Sequence, residues 1–377
     1  MRLRAAVLRE MGTARPYSTS APVTIEDVDL EPPGPGEVLV QVAAAGLCHS
    51  DLSVINGSRP RPMPMVLGHE AAGVVVELGL GVTGVERDDH VVFSYMPSCG
   101  RCVPCQSGRP ALCEPGADAN ARGVLLNGAR RLRDADGGEL NHHLGVSAFA
   151  EYAVVAEASL VRVGRDVPLD RAALFGCAVL TGVGAVVNTA RAQAGESAAV
   201  FGLGGVGLSA VMGAQLAGCY PIVAVDLLEA KLDLARQAGA THTVRANDPD
   251  ALAAIRDLTG GGAHYAFEAV GDARVLSQAY AATRRGGTTV AVGLPHPDQE
   301  VPLRALSLVA EERTLKGSYM GSAVPRRDVP RYLALYAAGR LPVDLLSSGT
   351  LAFGQLNEGF ERLAQGAVVR QVLTPAP

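Results

Sequence analysis

The run AAVFGLGGVGLSAVMGAQLAG leaves little freedom in how this chain can fold. Gly202-Leu203-Gly204-Gly205-Val206-Gly207 reads GxGxxG, directly after a short apolar strand and at the opening of an apolar helix. Glycines so placed allow a tight turn, close approach of backbone to a pyrophosphate and close helix-strand packing, while the helix amino terminus offers amide donors and positive potential. From about residue 179 the text alternates buried strands and helices: PIVAVD, LLEAKLDLARQAGA, THTV, HYAFEAVG, GGTTVAVGL. That alternation predicts a doubly wound parallel sheet covered on both faces. Asp226 closes PIVAVD about twenty residues beyond the last glycine, where a carboxylate can accept from both adenosine ribose hydroxyls and repel a 2′-phosphate. The pattern favours NAD over NADP; a capping aspartate at a strand-to-helix turn is the plainer alternative.

The first 170 residues read differently. Short β-branched runs such as VTIEDVDL, VLVQVAAAG, EAAGVVVELG and DDHVVFSYM are separated by Gly/Pro turns, with no useful helical period. A β-rich domain over 1–178 is expected, followed by the nucleotide domain over 179–319. After Lys316 the character is mixed again, and 320–377 is expected to rejoin the first domain. The polar stretch Asn127 to Glu139 reads as a surface excursion.

Four of the seven cysteines, Cys99, Cys102, Cys105 and Cys113, are spaced C-x2-C-x2-C-x7-C in a lobe over 97–115. Tight turns between neighbouring thiolates let them meet at about 2.3 Å from one tetrahedral ion, and four protein ligands leave no open position for chemistry. Structural zinc is the expectation. An iron-sulfur cluster is the rival, but the ferredoxin spacing closes with C-x3-C-P, whereas here seven residues intervene and Glu114 follows. The spacing is metal-like rather than disulfide-like.

At 377 residues and 48% hydrophobic content the chain can build sizeable cores in two or three domains. A net charge of -5 offers no basic stripe, so nucleic acid is a poor partner. The apolar run near the amino terminus, AAVL, is too short for a signal-peptide core, and a cytoplasmic location is expected. Two long uncharged stretches, 172–190 and 197–225, have the length of a membrane span. The second is broken by glycines and Pro221, and the first, with Thr181, Gly182, Gly184 and Asn188, reads as a buried helix; no membrane is expected.

Cys48 in GLCHSD and His69 in LGHEAAG complete a series of landmarks with the four-cysteine lobe, GCAVLTG, FGLGGVGL and FEAVG. Their order over nearly the full chain resembles the zinc-dependent alcohol dehydrogenases of the medium-chain dehydrogenase/reductase superfamily. The resemblance implies a GroES-like catalytic domain joined to a Rossmann domain. It also implies a catalytic zinc on Cys48, His69 and Cys177, beside the structural zinc of the lobe. Two thiolates and one imidazole leave a fourth position for water or substrate, which suits a catalytic ion. Asp51 and Glu70 would sit close behind the metal, Asp51 holding the second imidazole nitrogen and so fixing its tautomer; ordinary solvated carboxylates are the alternative. His49 and Arg370 would reach the cofactor pyrophosphate, Lys231 the adenosine ribose and Val292 the nicotinamide pocket, with Thr181 also a cofactor-binding residue. Cys219 belongs to neither site and reads as a small core residue.

What the resemblance implies is interconversion of an alcohol and its aldehyde or ketone with NAD, in a protein expected to be a homodimer or homotetramer. Ser50 is the expected first proton carrier. Relatives often hold a histidine three residues later, where this chain has Ser53, so the proton is expected to leave through the cofactor ribose to water or by way of His49. Tyr95, Leu125, Leu144 and Leu294 fall near pocket positions of the family and would favour a medium-sized apolar primary alcohol; Arg59 stands at a commonly apolar position. Two other readings stay open: a formaldehyde dehydrogenase acting on a thiol adduct, and a zinc-stabilised NAD-binding protein without catalysis. Glutathione-adduct users carry a basic residue soon after the fourth lobe cysteine, where this chain reads Glu114-Pro115-Gly116-Ala117, and a non-catalytic protein would be expected to lose its ligands.

Overall fold

The glycine- and proline-punctuated first part and the βα repeats form two compact units in the computed structural model, which describes residues 1–375. The first unit comprises Met1–Cys177, Val324–Ala334 and the C-terminal segment from Ser347; the second comprises Ala178–Ala323 and Leu335–Leu346.

Two β-structures make up the first unit. One is a closed barrel of Arg2–Leu8, Val23–Leu30, Leu132–Arg133, Glu139–His142 and Met65–Val66. Inward-facing Leu3, Val7, Val28, Leu30, Val66 and Leu140 fill it, as period-two alternation requires. The other is a seven-stranded sheet, ordered Leu160–Val163, His90–Phe93, Glu70–Leu78, Glu37–Gly46, Arg370–Leu373 and Ser347–Leu351, with Tyr152–Ala156 also paired to Glu37–Gly46.

The stretch Asn127 to Glu139 is a surface excursion only in part: between exposed turns it holds the barrel strand Leu132–Arg133, paired antiparallel with Val23–Leu30 and Glu139–His142. Charge content misleads here, because its arginines are anchored. Arg131 Nε donates to the buried carboxylate of Glu37 at 2.8 Å, Arg133 Nε donates to Glu31 at 2.9 Å, and Leu132 between them is buried. Leu125 is corrected with it. The side chain is fully buried in the barrel core with Leu3, Leu132 and Leu140, so it walls no substrate pocket.

In the second unit six strands are all parallel, ordered His242–Arg245, Ile222–Asp226, Ala198–Phe201, Ala263–Glu268, Thr283–Ala291 and Thr314–Gly317. The central strand Ala198–Phe201 is apolar and buried throughout and Ile222–Asp226 is apolar up to its final aspartate, as burial on both faces demands, whereas Thr283–Ala291 carries exposed Arg285 and Gly286 in its first half. The order reverses between Ala198–Phe201 and Ala263–Glu268, which is where open parallel sheets bind their ligands. Among the described residues no single helix is long and apolar enough to cross a membrane.

His142, at the end of the last barrel strand, gives the first unit a pH dependence. Its Nε2 accepts from the Arg131 N–H at 3.1 Å, so the ring is held neutral. Burial, helped by the positive charge of Arg130 and Arg131, brings its pKa down to about 3. The unfolded chain takes up that proton near pH 6.5 and the folded chain resists it to about pH 3, so stability falls as pH drops through this window. Urea unfolding at pH 7 and pH 5 should show the loss, and His142→Gln, which keeps an acceptor but cannot titrate, should flatten that part of the slope.

Candidate metal and dinucleotide sites

Strand pairing brings the first two ligands together. In the antiparallel register Gly46 faces Glu70; Cys48 follows Gly46 by two residues and His69 immediately precedes Glu70. A side chain at position 46 would collide with the Glu70 carboxylate, since an added Cβ would lie 2.3 Å from Oε1. Cys48 then occupies the amino-terminal cap of the helix His49–Ile55, where its N–H donates to Asp51 Oδ2 at 3.2 Å. The third ligand arrives from the short helical turn Ala173–Gly176, which packs on the strand Glu70–Leu78. Gly176 lies flat on Phe93 of the same sheet, leaving Cys177 in a non-helical conformation, φ −137° and ψ −74°.

The sulfurs of Cys48 and Cys177 and an imidazole nitrogen of His69 lie within 4.8 Å of one another, and all three residues are buried. Tetrahedral thiolate coordination places sulfurs about 3.8 Å apart, so the set fits a zinc ion with one position left open. Asp51, with no solvent exposure, lies behind it. Its Oδ1 sits 3.1 Å from His69 Nδ1 and accepts from the Gly68 N–H at 3.2 Å. With Nδ1 occupied, Nε2 is the nitrogen left for a metal.

The electrostatics suit a cation. Burial opposes ionisation of Asp51, but the positive potential of His69 and hydrogen bonds from His143 and His69 outweigh it and hold the carboxyl below its ordinary range. Burial likewise opposes a proton on His69, and Asp51 overrides it and raises the imidazole well above its usual value. The Cys177 thiol hydrogen-bonds Cys48 and, against burial, lowers it well below an ordinary thiol, with Arg370 assisting; the same bond and burial push Cys177 up. One anionic sulfur beside a proton-rich imidazole is a site whose protons a divalent ion would displace.

Sequence reasoning missed His143. It is buried, its Nδ1 lies 3.0 Å from the same Asp51 oxygen, and its ring meets His69 edge-on at 5.3 Å. The strand ends at His142, whose ring accepts from the Arg131 N–H, and the chain bends at His143, whose ring turns to Asp51.

The remaining first-unit residues take separate places. Arg370 is buried, with Nε 3.2 Å from Glu70 Oε1 and an Nη2 donor 3.5 Å from Cys48 sulfur. His49 is exposed and Ser50 half-buried in the first helical turn, while Ser53 Oγ donates to the His49 carbonyl at 2.8 Å. Tyr95 is buried edge-on to His69 at 5.6 Å. Leu144 is buried next to His143 with φ +52°, and Arg59 is half-buried with its N–H on the Ser53 carbonyl.

Cys99, Cys102, Cys105 and Cys113 also converge within 4.8 Å, with backbone N–H groups already directed at sulfur. Cys99 N–H donates to Cys113 at 3.2 Å, Cys102 N–H to Cys99 at 3.3 Å, and Gly116 N–H to Cys113 at 3.4 Å. Burial raises Cys99, but the amides of Arg101 and Cys102 bring it down to about 6, whereas Cys105 is pushed up to about 12, chiefly by burial.

In the second unit Gly202 has φ +85°, and an added Cβ on Gly207 would lie 1.7 Å from the Gly202 carbonyl oxygen, so only glycine closes this turn. Gly204 caps the helix Gly205–Leu216, with Val206 half-buried in its first turn. Asp226 ends its strand with Oδ2 accepting from Leu203 N–H at 2.7 Å and Oδ1 from Leu228 N–H at 3.0 Å. Lys231 is half-buried on the following helix, Val292 is buried, the buried Thr181 hydroxyl has no hydrogen-bond partner among the described residues, and Leu294 is exposed.

Metal analysis of the purified protein is expected to find two zinc ions per chain. Cys105→Ala should lose the lobe ion and lower the melting temperature, whereas Cys177→Ser should weaken retention of the other ion and abolish turnover with a smaller thermal effect. A single ion in fully active protein would remove the lobe assignment.

Known proteins agree with this geometry at family level. Residues 34–165 match the alcohol dehydrogenase GroES-like domain and residues 205–338 the zinc-binding dehydrogenase family. The chain is 38% identical to alcohol dehydrogenase class-3 of Cereibacter sphaeroides and 37% identical to S-(hydroxymethyl)glutathione dehydrogenase of Paracoccus denitrificans, each alignment covering 99% of this chain and 100% of the relative. The crystal structure of benzyl alcohol dehydrogenase from Acinetobacter calcoaceticus superposes with a TM-score of 0.92 at 33% identity, covering 100% of both chains. The donor set, the parallel nucleotide sheet and these full-length similarities together make the chain a member of the zinc-dependent, NAD-binding alcohol dehydrogenases of the medium-chain dehydrogenase/reductase superfamily.

Proposed function

We propose that this chain oxidises a medium-sized, mostly apolar primary alcohol to its aldehyde with NAD, and runs the reverse reaction. The buried convergence of Cys48, His69 and Cys177, with Asp51 on the far side of the imidazole, carries the reading. When bound, zinc supplies a Lewis acid at the open position and NAD supplies the hydride acceptor. The protein's own part is orientation and charge. Asp51 keeps Nδ1 protonated so that Nε2 presents its lone pair towards the two sulfurs. Arg370 beside Glu70 and Cys48 balances the anionic charge gathered there.

Ser50 is the first proton carrier in this reading. It stands on the first turn of the helix His49–Ile55 that Cys48 caps, next to exposed His49. Ser53 is committed to the His49 carbonyl and is no terminal base. The proton therefore leaves towards solvent near His49. Buried Tyr95 and Leu144 supply apolar wall, each fully buried apolar group on a substrate contributing about 25 cal/mol per Å² removed from water. The full-length similarity to a benzyl alcohol dehydrogenase supports an alcohol of this class.

The curated relatives support a second reading, oxidation of the glutathione adduct of formaldehyde. Against it stands the acidic first turn of the helix Glu114–Arg122, where adduct users carry a base. A kcat/KM panel of ethanol, hexanol, benzyl alcohol, a polyol, a carboxylated alcohol, and formaldehyde with and without glutathione separates the two. Hexanol and benzyl alcohol should lead; best activity on ethanol or the polyol would sink the apolar pocket, and turnover confined to formaldehyde with glutathione would establish the second reading.

Asp226 is proposed as the ribose acceptor that selects NAD. Asp226→Gly should weaken NAD and raise the relative use of NADP, measured as the ratio of kcat/KM values for the two cofactors. Wild-type preference for NADP would contradict the assignment.

A further inference from the structure

Glu268 is a buried acid that the chemistry above does not use. It ends the strand Ala263–Glu268, level with Phe201 on one side and Ala291 on the other. The sheet order reverses beside it, so the residue borders the ligand crevice of the second unit. Yet the side chain is only 1% exposed. One oxygen, Oε1, accepts from two successive amides, Val270 N–H at 2.7 Å and Gly271 N–H at 2.6 Å. The main-chain carbonyl of the same residue accepts from Val292 N–H at 2.8 Å and Gly293 N–H at 2.9 Å. Glu268 thus ties two crevice-lining segments to one strand end.

The segment it holds is closely fitted. Val270 Cγ2 lies over Gly202, 2.4 Å from where a Cβ would be, and Gly271, with φ +83°, backs onto the main chain of Leu294. Burial pushes the carboxyl up from its ordinary range, against the pull of the Gly271 and Val270 amides. An acid kept in so costly a place, with backbone donors converging on one oxygen, is organising the turn that carries them.

We propose that Glu268 is a positioning residue for NAD: its carboxyl fixes the turn 269–272 as the wall of the dinucleotide crevice, between the Gly202 loop and the segment Val292–Leu294. The inference rests on the reading of the second unit as the NAD site. It makes the pocket wall pre-formed before the cofactor arrives, which spares the ordering cost on binding.

Titration calorimetry with NAD and amide hydrogen exchange without it test the idea on the zinc-loaded full chain. E268M keeps the side-chain length and removes the acceptor. It should weaken NAD roughly tenfold or more, raise KM for NAD more than it lowers kcat, and speed exchange at Val270 and Gly271. E268Q retains an oxygen acceptor and should recover most of each loss. Unchanged NAD affinity in folded E268M would overturn the inference, and so would E268Q as impaired as E268M. If E268M does not fold, Val270→Ala decides: it leaves the carboxyl in place and strips the contact over Gly202, so NAD affinity should fall, and an unchanged Kd overturns the proposal. Wild-type protein that bound no NAD would instead remove the reading of the crevice itself.

Discussion

A single carboxylate without solvent exposure, Asp51, organises the metal-ligand end of the first unit. A bare carboxylate in such a place would be prohibitively costly, and the cost is offset only because donors surround it. Those donors come from three places along the chain: the Cys48 amide, the consecutive Gly68 amide and His69 ring, and the ring of His143, whose Nδ1 lies 3.0 Å from Oδ1. The interaction therefore fixes more than a tautomer. It sets the start of the helix carrying Ser50, the turn before the strand carrying Glu70, and the exit from the barrel strand that ends at His142. Loss of any one donor strains the other three.

The two metal-ligand sets solve different problems. In the lobe, sulfur ligands are close in sequence and prepared by backbone N–H donors, so local turns do the work. In the buried set, the β-sheet does the work, because the Gly46 to Glu70 register places Cys48 beside His69 and the Gly176 contact on Phe93 delivers Cys177. Rigid strands position the open site, while the closed site sits on a short irregular segment.

The nucleotide unit was legible in sequence because its chemistry is local: the glycine turn, the helix and Asp226 follow one another along the chain. The lobe was legible for the same reason. Cys48, His69 and Cys177 are far apart in sequence and became readable only through the family resemblance, since no spacing rule links them. What escaped notice depends on which face of a strand a side chain occupies. His143 carries no spacing signal that sets it apart from His142, and Leu125 reads as pocket wall until the barrel closes around it. The arginine-rich stretch before Glu139 read as solvent-exposed because the buried partner of Arg131, Glu37, lies far earlier in the chain.

The contrast between the two ligand sets also orders events in time. Bringing His69 to Cys177 closes a much longer loop than bringing Cys99 to Cys113, and the entropic difference is about 2 kcal/mol before any packing is gained. The lobe cysteines emerge together from the ribosome and can gather an ion in a chain that is otherwise unformed, whereas Cys177 is synthesised only after both β-structures have most of their strands. The closed site needs the chain only as far as Cys113, whereas the open site needs it through Cys177 together with the sheet register that sets Cys48 beside His69.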